Sequence, residues 1–144
     1  MQIITGVDIP IERDGMAAGV LHIDPTDVAF AEKSYDLIDE LEAAEAVYEK
    51  RAAELDLDQS VDKHGIPTNA RARLKLLRDA CTDMRAKIDG VFGVGTADMA
   101  FGETCSFDVI EQFLDGIVPA LESAQNKRIA KYTNRAQRRT ALKK

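Results

Sequence analysis

Apolar side chains recur every three or four positions along much of the chain, and this spacing predicts amphipathic helices. The first is expected from Asp24, as N-cap, to about Leu57, with Pro25 at its first helical position. Its opposite face is rich in Asp and Glu, so we expect that face to be solvated. The apolar stripe consists of Val28, Ala31, Tyr35, Ile38, Leu41, Ala44, Tyr48, Ala52 and Leu55.

A second helix is predicted from Thr68 or Asn69 to about Asp89, after a polar loop. Its 3.5-residue period suits antiparallel packing on the first helix or a coiled-coil seam with a partner. Cys81 falls inside this stripe, so we expect it to be a small core residue. The apolar positions are separated alternately by four and three residues: Ala70, Leu74, Leu77, Cys81, Met84, Ile88 and Val91.

The remaining elements are shorter or interrupted. Residues 1–9 and 19–23 contain β-favouring runs that predict a hairpin, with Pro10, Gly15 and Gly19 in loops. This hairpin must pack against helices to be stable.

Two further helices are predicted towards the C-terminus. Thr96 can cap a short helix over residues 97–101, and Ser106 can begin a last long helix. Gly116 and Pro119 lie inside that helix and predict a kink near residues 115–119. The predicted fold is therefore mainly α: a small helical bundle with one long acidic helix, a short N-terminal β-hairpin and a basic C-terminal tail.

Charge divides the chain into an acidic body and a basic tail. Residues 125–144 carry eight basic side chains and no acidic one, whereas residues 1–124 carry 25 acidic and 11 basic side chains. We expect a helical domain over residues 1–124, with its hairpin at about residues 1–23, and a tail that is either disordered or a frayed helix. One interpretation is a solvated tail that folds back onto the acidic body or has no function. The other is a tail that contacts a polyanion, either nucleic acid or an acidic protein surface.

Length and composition are those of one globular domain, with 144 residues, 45 % of them apolar and 6 % aromatic. The sequence contains no run of 18 apolar residues, so no transmembrane helix is predicted. The N-terminus lacks the basic start and apolar stretch of a signal peptide. We therefore expect a cytosolic protein without membrane association, in which Cys81 and Cys105 are free thiols.

The candidate calcium and phosphate motifs in the sequence each lack residues that their chemistry requires. The acidic series that begins at Asp56 resembles the opening of a calcium loop, but Val61 and Pro67 stand where that loop needs Gly and Glu. The glycine-rich residues 90–96 lack the lysine of a phosphate-binding loop. Two cysteines and two histidines without a close pair argue against zinc, while a Cys–His nucleophile pair stays open because its members meet only in the fold. We expect no catalytic residue, no metal and no cofactor.

Three segments together resemble the tail assembly chaperones of long-tailed phages and related prophages. They are residues 4–10 (ITGVDIP), residues 91–96 (VFGVGT) followed by Ala100, Phe101 and Gly102, and residues 131–139 (KYTNRAQRR). The resemblance implies a mainly helical, non-enzymatic protein in the cytoplasm of the bacterial host. It would hold the aggregation-prone tape-measure protein soluble while tube subunits polymerise around it. Residues 11–23 depart from the family's pattern, since this segment is longer than expected.

Partner contacts are assigned to two groups of side chains. The apolar group is Phe92, Phe101 and Phe113, for which a place in the core is the competing interpretation. The basic group is Arg135, Arg138 and Arg139 on the tail.

The expected partners are the tape-measure protein and, in addition, the tail tube protein, and self-association stays open. Two alternative functions are a nucleic-acid-associated phage protein that acts through the basic tail and a structural tail or neck subunit of the virion.

Overall fold

The computed structural model describes the backbone of residues 1–142 and the side chains of residues 1–123, 137 and 139. Over these residues the chain is mainly helical, with a two-stranded antiparallel hairpin at its N-terminus, which confirms the predicted fold class. The elements are β1 (Val7–Arg13), β2 (Met16–Ile23), α1 (Val28–Asp56), α2 (Ala70–Phe92), α3 (Thr96–Phe101) and α4 (Phe107–Leu142).

The hairpin is longer and its turn tighter than the sequence suggested. Arg13 pairs with Met16, so the turn consists of Asp14 and Gly15, whose φ angles are both positive, at 54° and 79°. Two positive φ angles are typical of the tight turns that connect antiparallel strands.

The prediction that Pro10 and Gly19 lie in loops is wrong. Pro10 is inside β1, which pairs with β2 alone among the described residues, and an edge strand tolerates a residue without an N–H. Gly19 is inside β2, where a β-bulge shifts the register and a Cβ atom would collide with the side chain of Met99.

Helix α1 begins three residues later than predicted, and the assignment of Asp24 as its cap is wrong. The N-cap is Asp27, whose carboxylate accepts a hydrogen bond from the backbone N–H of Ala29 at 3.1 Å. The carboxylate of Asp24 instead accepts hydrogen bonds from the backbone N–H and the hydroxyl of Thr26, at 3.2 and 2.6 Å. Asp24 therefore stabilises the turn that precedes the helix.

The buried stripe of α1 also differs from the predicted one in its first half. Val28 and Tyr35 are 53 % and 44 % exposed, whereas Ser34 and Leu37 are buried. Ser34 fits the core because its hydroxyl donates a hydrogen bond to the backbone carbonyl of Phe30 at 2.8 Å. Ser34, whose hydroxyl is hydrogen-bonded, is therefore buried at the point of α1 where hydrophobicity alone predicted that Tyr35 would be buried.

Helix α2 confirms its predicted stripe in its C-terminal half, while one stripe position in its N-terminal half is exposed. Cys81, Met84 and Ile88 are buried, as expected. Leu74, one of the predicted stripe positions, is 64 % exposed. The N-terminal half of α2 extends beyond the part of the helix that packs into the main core, and Leu74 stays outside it.

The connections to α3 and α4 are compact. Thr96 does not cap α3 as predicted, because it is the first helical residue and Gly95, with φ of 91°, occupies the N-cap position. The Thr96 hydroxyl donates a hydrogen bond to the backbone carbonyl of Gly93 at 2.8 Å. Helix α4 runs without interruption past Pro119 to Leu142, so it crosses the predicted boundary between body and tail. A kink near residues 115–119 stays a prediction.

Two hydrophobic clusters form the core. The larger cluster brings together α1, α2, α3 and the first turns of α4, through Leu37, Leu41, Met84, Ile88, Ala97, Phe101 and Ile110. The smaller cluster seats the hairpin on α4, through Leu21, Ile23, Ile117 and Leu121. Phe92 and Phe113 pack against both clusters, so the hairpin and the helices share one continuous interior.

Candidate functional site

The three phenylalanines predicted to contact a partner lie together in the structure. Phe92 is 5.3 Å from Phe113 between ring centroids, and Phe101 is 5.6 Å from Phe113, both pairs edge to face. Phe30 extends the row from the other side of Phe92, at 5.7 Å. Phe101 is buried, while Phe92 and Phe113 are half-buried. All three therefore contribute to the core, and any contact with a partner must involve the parts of these rings that stay accessible.

Phe101 and Phe113 also form one wall of an open cleft of about 510 Å³ between β1, α3 and α4. We name it the hairpin cleft. Phe92 lies outside the lining of this cleft. The main apolar lining residues are Ile9, Ile11, Leu21, Phe101, Phe113 and Ile117, and the polar ones are Glu12, Arg13, Asp14, Thr104 and Gln112. A concave surface that combines apolar side chains with a few polar groups is typical of a binding site.

Strand β1 supplies the second wall of the cleft, and Arg13 at its C-terminal end fastens the strand to α3. The guanidinium group of Arg13 donates a hydrogen bond to the backbone carbonyl of Met99 in α3 at 2.9 Å. The same guanidinium group lies against Gly102, where a Cβ atom would come within 3.1 Å of it. Because Pro10 has no N–H, β1 is a poor template for an added strand. The cleft is therefore better suited to binding apolar side chains than to extending the sheet.

Arg85 of α2 fixes the opposite wall, and sequence reasoning missed it. Its guanidinium group donates hydrogen bonds to the Asp98 carboxylate at 2.6 Å and to the backbone carbonyls of Gly102 and Thr104 at 2.7 and 3.1 Å. It also lies 5.7 Å from the ring centroid of Phe101. The sequence pattern does not single out Arg85, because its hydrogen-bond partners lie between residues 98 and 104 and come close to it only in the folded chain.

A family model matches residues 18–142, which include most of β2 and all four helices. Its description is a family of unknown function, DUF6673. The chain belongs to DUF6673. No curated protein and no solved structure matches the chain. The matched residues contain the α3 and α4 side of the hairpin cleft, while β1 precedes them, and the DUF6673 description assigns neither an activity nor a partner.

The basic group of predicted partner residues lies in the last part of α4. The Arg139 side chain is exposed. The side chains of Arg135 and Arg138 lie outside the described residues. For this DUF6673 chain the assignment of these three arginines to partner binding therefore stays a prediction that rests on the charge of residues 125–144.

In this DUF6673 protein Cys81 lies beside Cys105, and His22 lies beside a carboxylate. Burial, reinforced by the nearby Cys105 thiol, raises the pKa of Cys81 to about 12. Cys81 thus stays protonated at neutral pH, and a protonated thiol is a poor nucleophile. His22 Nδ1 lies 2.6 Å from a carboxylate oxygen of Asp8 on the exposed face of the hairpin.

The described residues show neither a candidate metal site nor a membrane-spanning helix. Their side chains contain no group of three His, Cys, Asp or Glu residues placed to hold a metal ion. Among the helices of the described part of the chain, none has the length and apolar character that crossing a bilayer requires.

A cluster of carboxylates lies where α1 passes α4, and it makes the charge of Glu45 unfavourable. Burial raises the pKa of Glu45, and the charges of Glu111, Glu49 and Glu42 raise it further. A raised pKa means that the folded state binds this proton more readily than the unfolded state. The ionised form consequently weakens the fold once the pH rises above the pKa.

Replacing Glu45 with glutamine is therefore expected to increase the free energy of unfolding at pH 7. The gain is a fraction of a kcal/mol, because solvent screens most of the repulsion. Urea denaturation at pH 7 and at pH 4 checks this, and the advantage of Glu45→Gln should shrink at the lower pH, where the wild-type carboxylate takes up its proton. Glu32→Gln on the same helix is the control, and an equal gain there would contradict the explanation.

Proposed function

We propose that this protein is a non-enzymatic phage tail assembly chaperone that binds the tape-measure protein in the cytoplasm of the bacterial host. The observation that carries the proposal is the hairpin cleft, an open cleft of about 510 Å³ that is lined by both apolar and polar side chains. A groove of this kind accepts the apolar face of an amphipathic helix, whose anchors recur at intervals of three and four residues. The tape-measure protein is long and helical, and the tail tube protein is a second partner in this proposal.

The walls of the cleft suit reversible binding. Ile9 and Ile11 on β1 lie across the cleft from a wall that includes Phe113 of α4. Apolar side chains of a partner would therefore be shielded from water by both walls. Burial of apolar surface stabilises a complex by about 25 cal/mol per Å². Arg13, Asp14 and Gln112 at the rim can bind the polar flanks of the same helix. An assembly chaperone needs this combination, since it must hold its partner and then release it to the growing tube.

The test is co-expression with a helical fragment of the tape-measure protein, with Ile11→Asp as the cleft variant. A carboxylate at position 11 would have to be desolvated against the partner, so we expect recovery of the soluble complex to fall at least tenfold, which corresponds to about 1.4 kcal/mol. Val7→Asp is the matched control, because Val7 lies on the same strand, is half exposed and is outside the cleft lining.

Two results would contradict the proposal. One is a tape-measure fragment that stays as insoluble with the wild-type chain as without it. The other is equal recovery with Ile11→Asp and with Val7→Asp, provided that circular dichroism shows both variants to be folded.

A second candidate function rests on the tail. Residues 125–144 include eight basic residues and no acidic one, and the Arg139 side chain is exposed. If this segment binds nucleic acid, retention of DNA or RNA should fall steeply with salt, because each phosphate contact releases counterions. Deleting residues 125–144 should then abolish retention and leave the tape-measure interaction unchanged. The third hypothesis is a structural tail or neck subunit of the virion, which would be present in purified phage particles.

A further inference from the structure

A second open surface lies on α1 and α2, away from the hairpin cleft. It is a groove of about 480 Å³, which we name the α1–α2 groove, and it is lined by six residues of α1 that lie between Glu40 and Arg51 and five residues of α2 that lie between Leu76 and Lys87, these end residues included. Among the described residues, neither α3 nor α4 contributes to its lining. The lining includes five small or apolar residues: Ala43, Ala44, Val47, Leu76 and Ala80. Val47 is 50 % exposed, so apolar surface remains uncovered in the single chain.

We infer that a second copy of this chain covers the α1–α2 groove, with the two α1 helices packed antiparallel about a two-fold axis. In a two-fold contact, residue i of one copy meets residue j of the other, and j meets i. Such an interface therefore has to be complementary to itself. The lining of the groove can be checked for this property, because its α1 residues all lie on one helix.

The charges on α1 satisfy this condition. Glu40 and Arg51 both line the groove and are eleven residues apart, which is close to three full turns, so they lie on the same face of the helix. An axis that passes between Glu45 and Ala46 places Glu40 of each copy opposite Arg51 of the other. The symmetry repeats the contact, so that one residue pair gives two ion pairs in the dimer.

The apolar residues fit the same register. With the axis at that position, Ala44 of one copy lies opposite Val47 of the other, and Ala43 lies opposite Tyr48. In both pairs the larger side chain meets a methyl group, so the helices can approach closely and their side chains interdigitate. The exposed face of Val47 would be covered by the second copy.

The α2 wall does not oppose this arrangement. Asp83 and Lys87 are four residues apart and bind each other, with 2.9 Å between Lys87 Nζ and the carboxylate. They therefore neutralise one another at the end of the groove where Glu40 lies. Asp79 lines the other part of the α2 wall. The self-association stands independently of the proposed chaperone function, because no residue of the α1–α2 groove lines the hairpin cleft.

The test uses two single charge reversals, Glu40→Arg and Arg51→Glu, and light scattering after size exclusion. The wild-type chain should have twice the mass of one chain. Each variant alone places like charges opposite each other at both contacts, so we expect dimerisation at least tenfold weaker for each. Mixing the two variants restores opposite charges at both contacts, and a 1:1 heterodimer should form. The double variant Glu40→Arg/Arg51→Glu should again form homodimers.

Glu42→Arg is the matched control, since it makes the same charge change at an exposed position outside the groove. It should dimerise as the wild-type chain does. A wild-type chain that is monomeric at all concentrations tested would overturn the inference, as would a pair of variants that stays monomeric on mixing although each is helical by circular dichroism. Single variants that dimerise as tightly as Glu42→Arg would overturn it too. The inference would also be overturned by a complex in which the tape-measure fragment occupies the α1–α2 groove in place of a second copy.

Discussion

Replacing Gly6 with alanine is expected to lower the free energy of unfolding by about 2–4 kcal/mol. Gly6 precedes β1 with φ of 77°, a conformation that side chains other than glycine rarely adopt. A Cβ atom at this position would collide with the backbone carbonyl of Ile23 and approach the Cα of Asp24. Backbone atoms cannot move aside as a flexible side chain can, and Ile23 is itself buried in the smaller core cluster. The substitution should therefore loosen the hairpin from α4.

Gly15→Ala is the matched control for this result. Its φ of 79° is nearly the same, but no atom lies within 4 Å of the position that a Cβ would take. We expect it to cost only the strain of the left-handed conformation, about 1–2 kcal/mol. Urea denaturation followed by far-ultraviolet circular dichroism measures both variants. Equal losses would mean that the contact between Gly6 and the end of β2 contributes nothing beyond backbone strain.

Replacing Ile88 with alanine is expected to lower the free energy of unfolding by about 2–5 kcal/mol. Ile88 is fully buried in the larger core cluster, among side chains of α1, α3 and α4. Removing three carbons there leaves a cavity that the surrounding helices can fill only in part. The loss combines the transfer of the missing methyl groups with the cost of that cavity.

Leu74→Ala tests whether the effect follows burial and not helix periodicity. Leu74 precedes Ile88 by two heptads and belongs to the same predicted stripe, but it is 64 % exposed. We expect its substitution to change stability by about 0.5 kcal/mol or less. Thermal and urea denaturation of the two variants should therefore diverge widely. A comparable loss for Leu74→Ala would indicate that the N-terminal half of α2 is covered in solution by something beyond this single chain.

The contrast between Leu74 and Ile88 shows how far periodicity predicts this fold. Spacing identified helices α1 and α2 and the buried face over about half of each, because these depend on residues near one another in the chain. It could not show that the main core covers only the C-terminal half of α2. That outcome depends on contacts of α3 and α4, which are remote in sequence.

The errors in the hairpin and in α1 have local causes. The turn at Asp14–Gly15 agrees with the prediction for Gly15, but Pro10 and Gly19 also favour loops, so the sequence predicts a longer connection than the structure has. Both residues are tolerated in strands for reasons that appear only in the fold: one lies on an edge strand and the other at a bulge beside Met99. Ser34 was missed because a serine that bonds to the preceding turn is not distinguishable by hydropathy.

The candidate site was predictable only in part. The sequence identified three aromatic residues, and the structure brings them together, but the cleft exists because the hairpin packs against α4 and leaves space beside Phe101 and Phe113. No local pattern specifies that space. Arg85, which fixes one wall, was invisible for the same reason, since its hydrogen-bond partners lie 13 to 19 residues away.

The central claim, that the hairpin cleft binds the tape-measure protein, is tested most directly by photo-crosslinking in cells that are producing phage. Gln112 is exposed and lines the cleft, so a photoreactive side chain at that position lies beside the proposed contact. Glu49, exposed and outside the lining of both the cleft and the α1–α2 groove, is the control position. The account predicts a crosslink from position 112 to the tape-measure protein and none from position 49. No crosslink to the tape-measure protein from position 112, or equal crosslinking from both positions, would contradict it.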